Sequence, residues 1–206
     1  MDTYTTIKGS SQAEIVEKKS RFIAQCAHVE SEEEALAHLE AVRAKHRTAR
    51  HNVYAYVLRE NNRVRYSDDG EPAKTAGIPV LEVIEHSGLV DVAVVVTRYF
   101  GGTLLGTGGL VRAYTASAQA GIATAQKVEF CECATFDVQI SYSMYDQVMY
   151  VANAQNAQVL DTQYSDVVRM QLRVRLEGAP ALKKKLTEIM RGQGVLRAGE
   201  PEFAAM

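Results

Sequence analysis

A run of β-branched residues at positions 92–97 constrains the fold of this chain more than any other feature. Its sequence is Val-Ala-Val-Val-Val-Thr, and such a continuous run is typical of a strand that is buried on both faces. Arg98 and a glycine-rich segment follow at once, and a long helix of small residues is predicted from about residue 110 to 124. The order strand, loop, helix therefore places the glycines at the end of a buried strand.

This loop has two interpretations, and the sequence leaves both open. Loop amides followed by a helix N-terminus bind anions well, and Arg98 and Arg112 would add charged donors. The alternative is a tight turn in which glycines allow close packing of a helix end on the sheet. No Gly-Lys-Ser/Thr closes a Walker A motif, so no nucleotide site is predicted from the pattern. The glycines are Gly101, Gly102, Gly106, Gly108 and Gly109.

A second polar segment, at residues 67–77, contains Asp68, Asp69, Gly70, Glu71 and Lys74. A metal site, a pair of catalytic acids and a structured turn are all conceivable here. The two aspartates are adjacent and would point to opposite sides of an extended backbone, which disfavours a catalytic pair. The simplest prediction is that Asp69 or Glu71 pairs with Arg98 or Arg112 and that these acids cap neighbouring amides, which would order the surface without any reaction.

The remaining chemistry-bearing residues form no recognisable catalytic or metal motif. No serine lies in a G-x-S-x-G sequence, and the five histidines lack zinc-binding spacing. His51 is predicted to be a hydrogen-bonded structural residue. The chain has three cysteines, Cys26, Cys131 and Cys133, a pattern that predicts neither a disulfide framework nor a disulfide-linked partner. We expect no catalytic residue, no metal and no cofactor. The sequence leaves enzymatic activity open, but the lack of a catalytic motif argues against it.

Charge and hydropathy narrow the choice of partners and of compartment. The net charge is -2, and residues 1–133 hold 15 Lys and Arg against 17 Asp and Glu, while residues 134–206 hold 8 against 8. Neither part has the basic excess of a non-specific nucleic-acid binder, so any anion site must be local. A basic run at residues 43–50 either complements a helix dipole or adds to an anion-binding patch. No signal peptide or membrane span is predicted, so we expect a cytoplasmic protein.

Element order predicts an α+β chain of two domains, residues 1–133 and 134–206. In the first, Ser31 and Glu34 form a capping box at the start of a helix. In the second, alternating strands and two amphipathic helices give the order βαββαβ, which is that of a ferredoxin-like domain. The boundary is expected near residues 132–135.

Several motifs in the first domain together resemble the IMPACT/YigZ family. They are Lys-Lys-Ser-Arg-Phe at 18–22, Ala-Arg-His at 49–51, Ser-Asp-Asp-Gly-Glu-Pro at 67–72 with Thr-Ala-Gly at 75–77, Thr-Arg-Tyr-Phe-Gly-Gly at 97–102 and Leu-Gly-Thr-Gly-Gly-Leu-Val-Arg-Ala-Tyr at 105–114. They occur in order over residues 15–125. The second domain is similar to a late domain of elongation factor G.

The resemblance implies an N-terminal α/β domain like the second domain of ribosomal protein five of the small subunit. It also implies a binding protein whose partner is RNA, the ribosome or a translation-control protein. Lys74 stands where the family often has a small residue, and it adds a cation. The alternatives are an enzyme or sensor for a phosphorylated small molecule and a pure protein-interaction adaptor. The family motif residues and this lysine define the expected binding site: Arg21, Asp68, Asp69, Gly70, Glu71, Lys74, Arg98, Gly101, Gly102, Gly106, Gly108, Gly109 and Arg112.

Overall fold

The computed structural model of the chain describes residues 3–206. Its internal contacts divide it into two compact units. The N-terminal unit is Tyr4–Val128, and the C-terminal unit is built mainly of Glu129–Met206. Both combine helices with a sheet, so the predicted α+β class is confirmed.

The N-terminal unit is organised around a five-stranded antiparallel sheet with the strand order β2-β3-β6-β4-β5. Its elements are β1 Tyr4–Ile7, β2 Ser10–Glu17, β3 Ser20–His28, α1 Glu32–Lys45, β4 His51–Leu58, β5 Arg63–Ser67, α2 Gly77–His86, β6 Val92–Tyr99 and α3 Thr107–Ala123. The predicted β-branched strand, β6, lies in the middle of this sheet.

Helices cover both faces of the sheet. Leu39 and Val42 of α1 pack with Val95 on one face. On the other face α2 and α3 bury their apolar side chains against Val94 and Val96. Every residue of β6 from Val92 to Arg98 is therefore buried, and the prediction of a strand enclosed on both faces is confirmed.

The start of α1 shows how the sequence specifies a helix end. The hydroxyl oxygen of Ser31 accepts a hydrogen bond from the amide of Glu34 at 3.2 Å. In return the Glu34 carboxylate accepts from the amide of Glu30 at 2.8 Å. The predicted cap is confirmed, but the glutamate reaches the residue before Ser31 and not the amide of Ser31 itself. Two amides at the helix start thus gain partners.

The C-terminal unit has the ferredoxin-like arrangement that the sequence predicts. Its elements are β7 Lys127–Ile140, α4 Tyr145–Ala154, β8 Gln158–Tyr164, β9 Val168–Arg175, α5 Ala179–Met190, β10 Val195–Ala198 and β11 Glu202–Ala205. The antiparallel order is β8-β9-β7, and both β10 and β11 pair with the other side of β7. Phe136 and Leu172 belong to the core between the sheet and the two helices, and the opposite face of the sheet is polar.

Two strands were not predicted. The sequence of β1, Tyr-Thr-Thr-Ile, has no apolar alternation, and the strand is fixed by tertiary contacts. Thr6 is fully buried there and shares a hydrogen bond with His28 Nδ1 at 2.9 Å. The short strand β11 pairs with Phe130–Cys133 of β7.

In residues 3–206 no helix is long and apolar enough to cross a membrane.

The cap of α1 leads to a prediction about local stability. Ser31→Ala removes the acceptor of the Glu34 amide and should destabilise the helix start by about 1 kcal/mol, whereas Ser31→Asp should preserve it. Hydrogen–deuterium exchange followed by mass spectrometry would show faster exchange in peptides from the first turn of α1 in the alanine variant. Equal exchange rates in all three proteins would contradict the role assigned to the cap.

Candidate functional site

The two glycine-rich segments meet at one end of the N-terminal sheet. Residues 67–77 connect β5 to the start of α2, and residues 98–112 run from the end of β6 into α3. We call these two segments the glycine-rich face. Because β4 begins where β6 ends, His51 lies opposite Arg98 in the sheet register. The strand ends therefore bring residues from distant parts of the sequence to one place.

A buried ion pair joins the two segments. Arg98 donates from Nη1 to Glu71 Oε1 at 2.7 Å, and the side chains are only 7% and 3% exposed. The hydroxyl of Tyr114, on α3, donates to the same carboxylate oxygen at 2.8 Å. One carboxylate thus connects the loop before α2, the end of β6 and the second turn of α3.

The surroundings of this cluster are apolar. The Arg98 guanidinium lies 5.4 Å from the ring centre of Phe22 and 5.7 Å from that of Phe100. Phe22 also packs edge-to-face on Tyr114 at 5.1 Å. Burial, together with the Glu71 carboxylate, raises the pKa of Tyr114, so its hydroxyl remains a donor at neutral pH. A charge held in this way is costly to separate from its counter-charge.

Asp68 caps the helix that follows it. Its Oδ1 accepts from the amides of Ala76 and Gly77 at 3.0 and 2.8 Å. Its Oδ2 accepts from the amide of Lys74 at 2.9 Å. The start of α2 therefore already holds a carboxylate, in the position where a helix N-terminus favours an anion.

Asp69 points the other way, as predicted for adjacent aspartates. Its carboxylate accepts from the amide of Asn52 at 2.6 Å and from the guanidinium of Arg43 at 3.1 Å. Its carbonyl oxygen lies 2.9 Å from His51 Nδ1. His51 is thus a hydrogen-bonded structural residue, which confirms the interpretation of the sequence.

The glycines of this face serve different purposes. Gly101 allows a close approach of two chains, because a Cβ atom there would lie 2.0 Å from the backbone carbon of Lys19. Gly106 ends the loop with φ 73° and precedes the first residue of α3, a conformation that side chains disfavour. Gly70 and Gly102 also have positive φ, Gly109 packs closely on Leu105, and Gly108 lies under the side chain of Arg112.

The start of α3 differs from that of α2. Gly106, its N-cap residue, supplies no side-chain acceptor for the first amides. The guanidinium of Arg112 lies over the first turn, with Nη1 3.7 Å from the position that a Cβ of Gly108 would take. Amides without a side-chain cap beside an exposed arginine form an arrangement that suits an anionic group.

The cations around this face differ in whether they have partners. Arg21, on β3, donates two hydrogen bonds of 2.9 Å to Glu14, and its guanidinium lies 5.6 Å from the ring centre of Tyr99. The side chains of Lys18, Lys19, Lys74 and Arg112 are exposed, and none of them forms an ion pair with an acid among residues 3–206. All three acids of residues 67–71 accept internal hydrogen bonds, so the exposed side chains that are left for a ligand are these cations.

Apolar side chains also project from the loop before α3. Leu104 is 84% exposed and Phe100 is exposed as well. Leu105 between them and α3 is buried and anchors the loop to the core. Exposed large apolar side chains next to charged ones are common at interaction surfaces.

The structure brings most of the predicted site residues together, although in different roles. The predicted acid–arginine pairing is confirmed for Glu71 with Arg98. The acid that caps the start of α2 is Asp68. Arg98 is enclosed by its ion pair, whereas Arg112 remains at the surface. Tyr114 was not predicted as part of the cluster. Its spacing from Leu110 and Ser117 on the buried stripe of α3 was the available signal for a side chain facing the sheet.

Cavities lie elsewhere in the molecule. One of about 390 Å³ lies on the polar sheet face of the C-terminal unit, and another of about 470 Å³ lies between α2 and α3. Among residues 3–206 no three histidine, cysteine or acidic side chains are grouped to hold a metal ion.

The ion pair gives a prediction about stability. Glu71→Gln keeps the shape of the side chain but leaves the Arg98 charge buried without a counter-charge, so the N-terminal unit should lose about 3 kcal/mol. Tyr114→Phe removes one hydrogen bond and should cost about 1 kcal/mol. Amide exchange in peptides from β6 and α3 would measure both effects. A Glu71→Gln variant no less stable than Tyr114→Phe would show that the charge pair does not hold the face together.

Comparison with known proteins places these features in a family. The model of the Impact N-terminal domain matches residues 18–122, and the model of a domain of unknown function matches residues 138–193. The chain is 34% identical over 201 residues to the IMPACT family member YvyE of Bacillus subtilis (strain 168), covering 97% of this chain and 93% of that protein.

Other relatives extend this similarity. The IMPACT family member YigZ of Escherichia coli (strain K12) is 34% identical over 189 residues, which cover 89% of this chain and 91% of that protein. A solved structure of a hypothetical protein is 31% identical and superposes with a TM-score of 0.61, covering 97% of this chain and 98% of the other. The domain match, the identity over nearly the whole length and the shared structure show that the chain belongs to the IMPACT family.

Proposed function

We propose that this chain is a non-catalytic binding protein that contacts RNA of the translation apparatus, in the ribosome, through the glycine-rich face. The observation that supports this most directly is the distribution of charge. Asp68, Asp69 and Glu71 are occupied by internal donors, while Lys18, Lys19, Lys74 and Arg112 surround the face with exposed cations.

The same observation favours binding over catalysis. A general acid or base must reach the reacting atom, but Glu71 is enclosed with Arg98 and Tyr114, and Asp68 is bonded to three amides. What remains at the surface is a set of hydrogen-bond donors: the first amides of α3, the Arg112 guanidinium and three lysine side chains. Donors of this kind suit the phosphate groups of a nucleic acid.

Membership of the IMPACT family is the reason for proposing a role in translation. The motifs at 67–77 and 97–114 are those in which the chain resembles the IMPACT/YigZ family, and that resemblance implies a role in translation control. Because the net charge of the chain is -2, we expect binding to depend on this local surface and to be sensitive to salt.

A charge-reversal variant tests the proposal. Lys18→Glu, Lys19→Glu and Arg112→Glu together should reduce cosedimentation with purified ribosomes at least tenfold, because each reversal replaces attraction to phosphate by repulsion. The matched control reverses three exposed lysines of α5, Lys183→Glu, Lys184→Glu and Lys185→Glu, and should sediment like the wild type.

Salt dependence supplies an independent readout. Wild-type binding should weaken steeply as salt rises, by about 0.7 to 0.9 logarithmic units per logarithmic unit of salt for each phosphate contacted. The face variant should show a shallower dependence than the control. If the wild type does not sediment with ribosomes, or if both variants bind equally, the proposal is wrong.

A second candidate, a protein-interaction adaptor, is favoured by Leu104 and Phe100. A side chain as exposed as that of Leu104 would gain more from an apolar pocket on a protein than from a phosphate backbone. The two candidates differ in the molecule that would contact Leu104, which is a protein for the adaptor and ribosomal RNA for the RNA-binding protein.

Site-specific photocrosslinking distinguishes them. With a photoreactive amino acid in place of Leu104, contact with ribosomal RNA should give an adduct that ribonuclease shortens. With the same group at the control position Val64, an exposed residue of β5, no adduct is expected. A ribonuclease-resistant adduct of defined mass at position 104 would favour the adaptor and contradict contact with RNA there.

A further inference from the structure

The C-terminal unit has an unusual distribution of tyrosines. Tyr142, Tyr150 and Tyr164 are 52%, 75% and 60% exposed, and Tyr145 is half-buried among them on α4. These are all the tyrosines of residues 129–206; none belongs to the buried core of the unit, although Tyr145 packs against it. A group of large aromatic side chains at the surface is a common mark of an interaction site.

Three of them form a compact group that we call the tyrosine cluster: Tyr142, Tyr145 and Tyr164. The rings of Tyr142 and Tyr164 are stacked with centres 6.3 Å apart, and those of Tyr145 and Tyr164 lie 6.0 Å apart. The cluster joins the segment after β7, the first residue of α4 and the end of β8.

Hydrogen bonds hold the tyrosine hydroxyls and leave the rings at the surface. Tyr142 donates to the carbonyl oxygen of Ser165 at 2.6 Å, and Tyr164 donates to the Tyr145 hydroxyl at 3.2 Å. This second bond raises the pKa of Tyr164, so the hydroxyl stays protonated at neutral pH. The side chains are thus preorganised, and a ligand that uses the ring faces need not order them first.

Two exposed aspartates lie within two residues of cluster tyrosines along the chain. Asp146 follows Tyr145 on α4 and shares a helix face with Tyr150 four residues later. Asp166 lies in the turn after β8, where its carboxylate accepts from the hydroxyl of Ser165 at 3.0 Å. In the part of the chain that the structure describes, neither carboxylate forms an ion pair.

The nearest basic residue along the chain does not compensate them. Arg169 lies on β9 between the buried residues Val168 and Met170, so its side chain is on the sheet face turned away from α4 and α5. There its Nε lies 3.5 Å from Gln139 Oε1. The cluster therefore combines aromatic faces with two exposed carboxylates that form no ion pair among residues 3–206.

We propose that the tyrosine cluster, together with Asp146 and Asp166, binds a lysine- or arginine-bearing segment of a partner protein. Ammonium and guanidinium groups are attracted to the faces of tyrosine rings within about 6 Å, and the carboxylates add charge-assisted hydrogen bonds. Stacked rings also bind bases of single-stranded nucleic acid, but here the two carboxylates repel the phosphate groups. Charge complementarity thus selects a cationic peptide as the occupant.

The probes for the test are three oligomers of equal length. One is a twelve-residue peptide of alternating arginine and glycine, the second has glutamate in place of arginine, and the third is a twelve-nucleotide uridine RNA. Each is titrated into the full-length protein carrying labelled tyrosine, and the ring resonances are followed by NMR, so that binding elsewhere in the chain is not counted. The arginine peptide should shift the cluster resonances and the glutamate peptide should not.

Variants separate the aromatic contribution from the charge contribution. Asp146→Asn with Asp166→Asn should weaken binding of the arginine peptide at least tenfold, while Asp137→Asn, an exposed aspartate on the polar sheet face, should not. Tyr164→Leu, which keeps the bulk of the side chain but loses the ring, should also weaken binding, and Tyr164→Phe should preserve it. Amide exchange across α4 and β8 verifies that each variant is folded.

Two results would overturn the proposal. One is equal affinity of the arginine peptide for the wild type and the Asp146→Asn, Asp166→Asn variant. The other is a uridine RNA that shifts the cluster resonances at lower concentration than the arginine peptide, because the occupant would then be a nucleic acid. Neither result depends on whether the glycine-rich face contacts the ribosome.

Discussion

Arg98 and Glu71 form an ion pair that is almost completely enclosed, and the arrangement of the glycine-rich face depends on it. Removing two charges from water costs several kcal/mol per ion. The mutual attraction of the two charges and the hydrogen bond from Tyr114 to Glu71 offset this cost. The same constraint connects a loop, a strand and a helix. The face is thus tied to the sheet through buried side chains, although much of it consists of loops.

Enclosing Glu71 also changes which charged groups the glycine-rich face presents to solvent. Asp68 accepts hydrogen bonds from amides at the start of α2, and Asp69 accepts from the amide of Asn52. The acids that dominate the sequence at 67–71 therefore offer few free acceptor atoms to a ligand. The side chains of Lys18 and Lys19 in the β2–β3 turn, and those of Lys74 and Arg112, keep their positive charges exposed to solvent. Under the proposed function, a segment that is acidic by composition becomes part of an anion-binding surface, because the partners of each side chain and not residue counts decide which groups are available to a ligand.

The sequence predicts strands and helices better than it predicts the roles of individual side chains. The run at 92–97 and the order of elements after residue 134 were sufficient for the buried strand and the ferredoxin-like unit, since both depend on local periodicity. The pairing of Glu71 with Arg98 was predictable as one of several acid–arginine combinations. Which arginine would be enclosed was not, because that depends on where Phe22, Phe100 and Tyr114 meet in space. For the same reason β1, whose Thr6 side chain is hydrogen-bonded to His28 and to the carbonyl oxygen of Asp91, gave no local signal.

The tyrosine cluster extends this argument to the C-terminal unit. Its residues come from positions 142, 145 and 164, and no spacing in the sequence relates the third to the first two. Residues 134–206 contain equal numbers of acidic and basic side chains, so composition predicts no electrostatic character for this part of the chain. Pairing breaks the balance locally: Arg173 and Arg175 are engaged with Glu202 and Glu129, while Asp146 and Asp166 form no ion pair in the part of the chain that the structure describes. Two surfaces of opposite sign can therefore arise in a chain whose net charge is close to zero, and each would select its own class of partner.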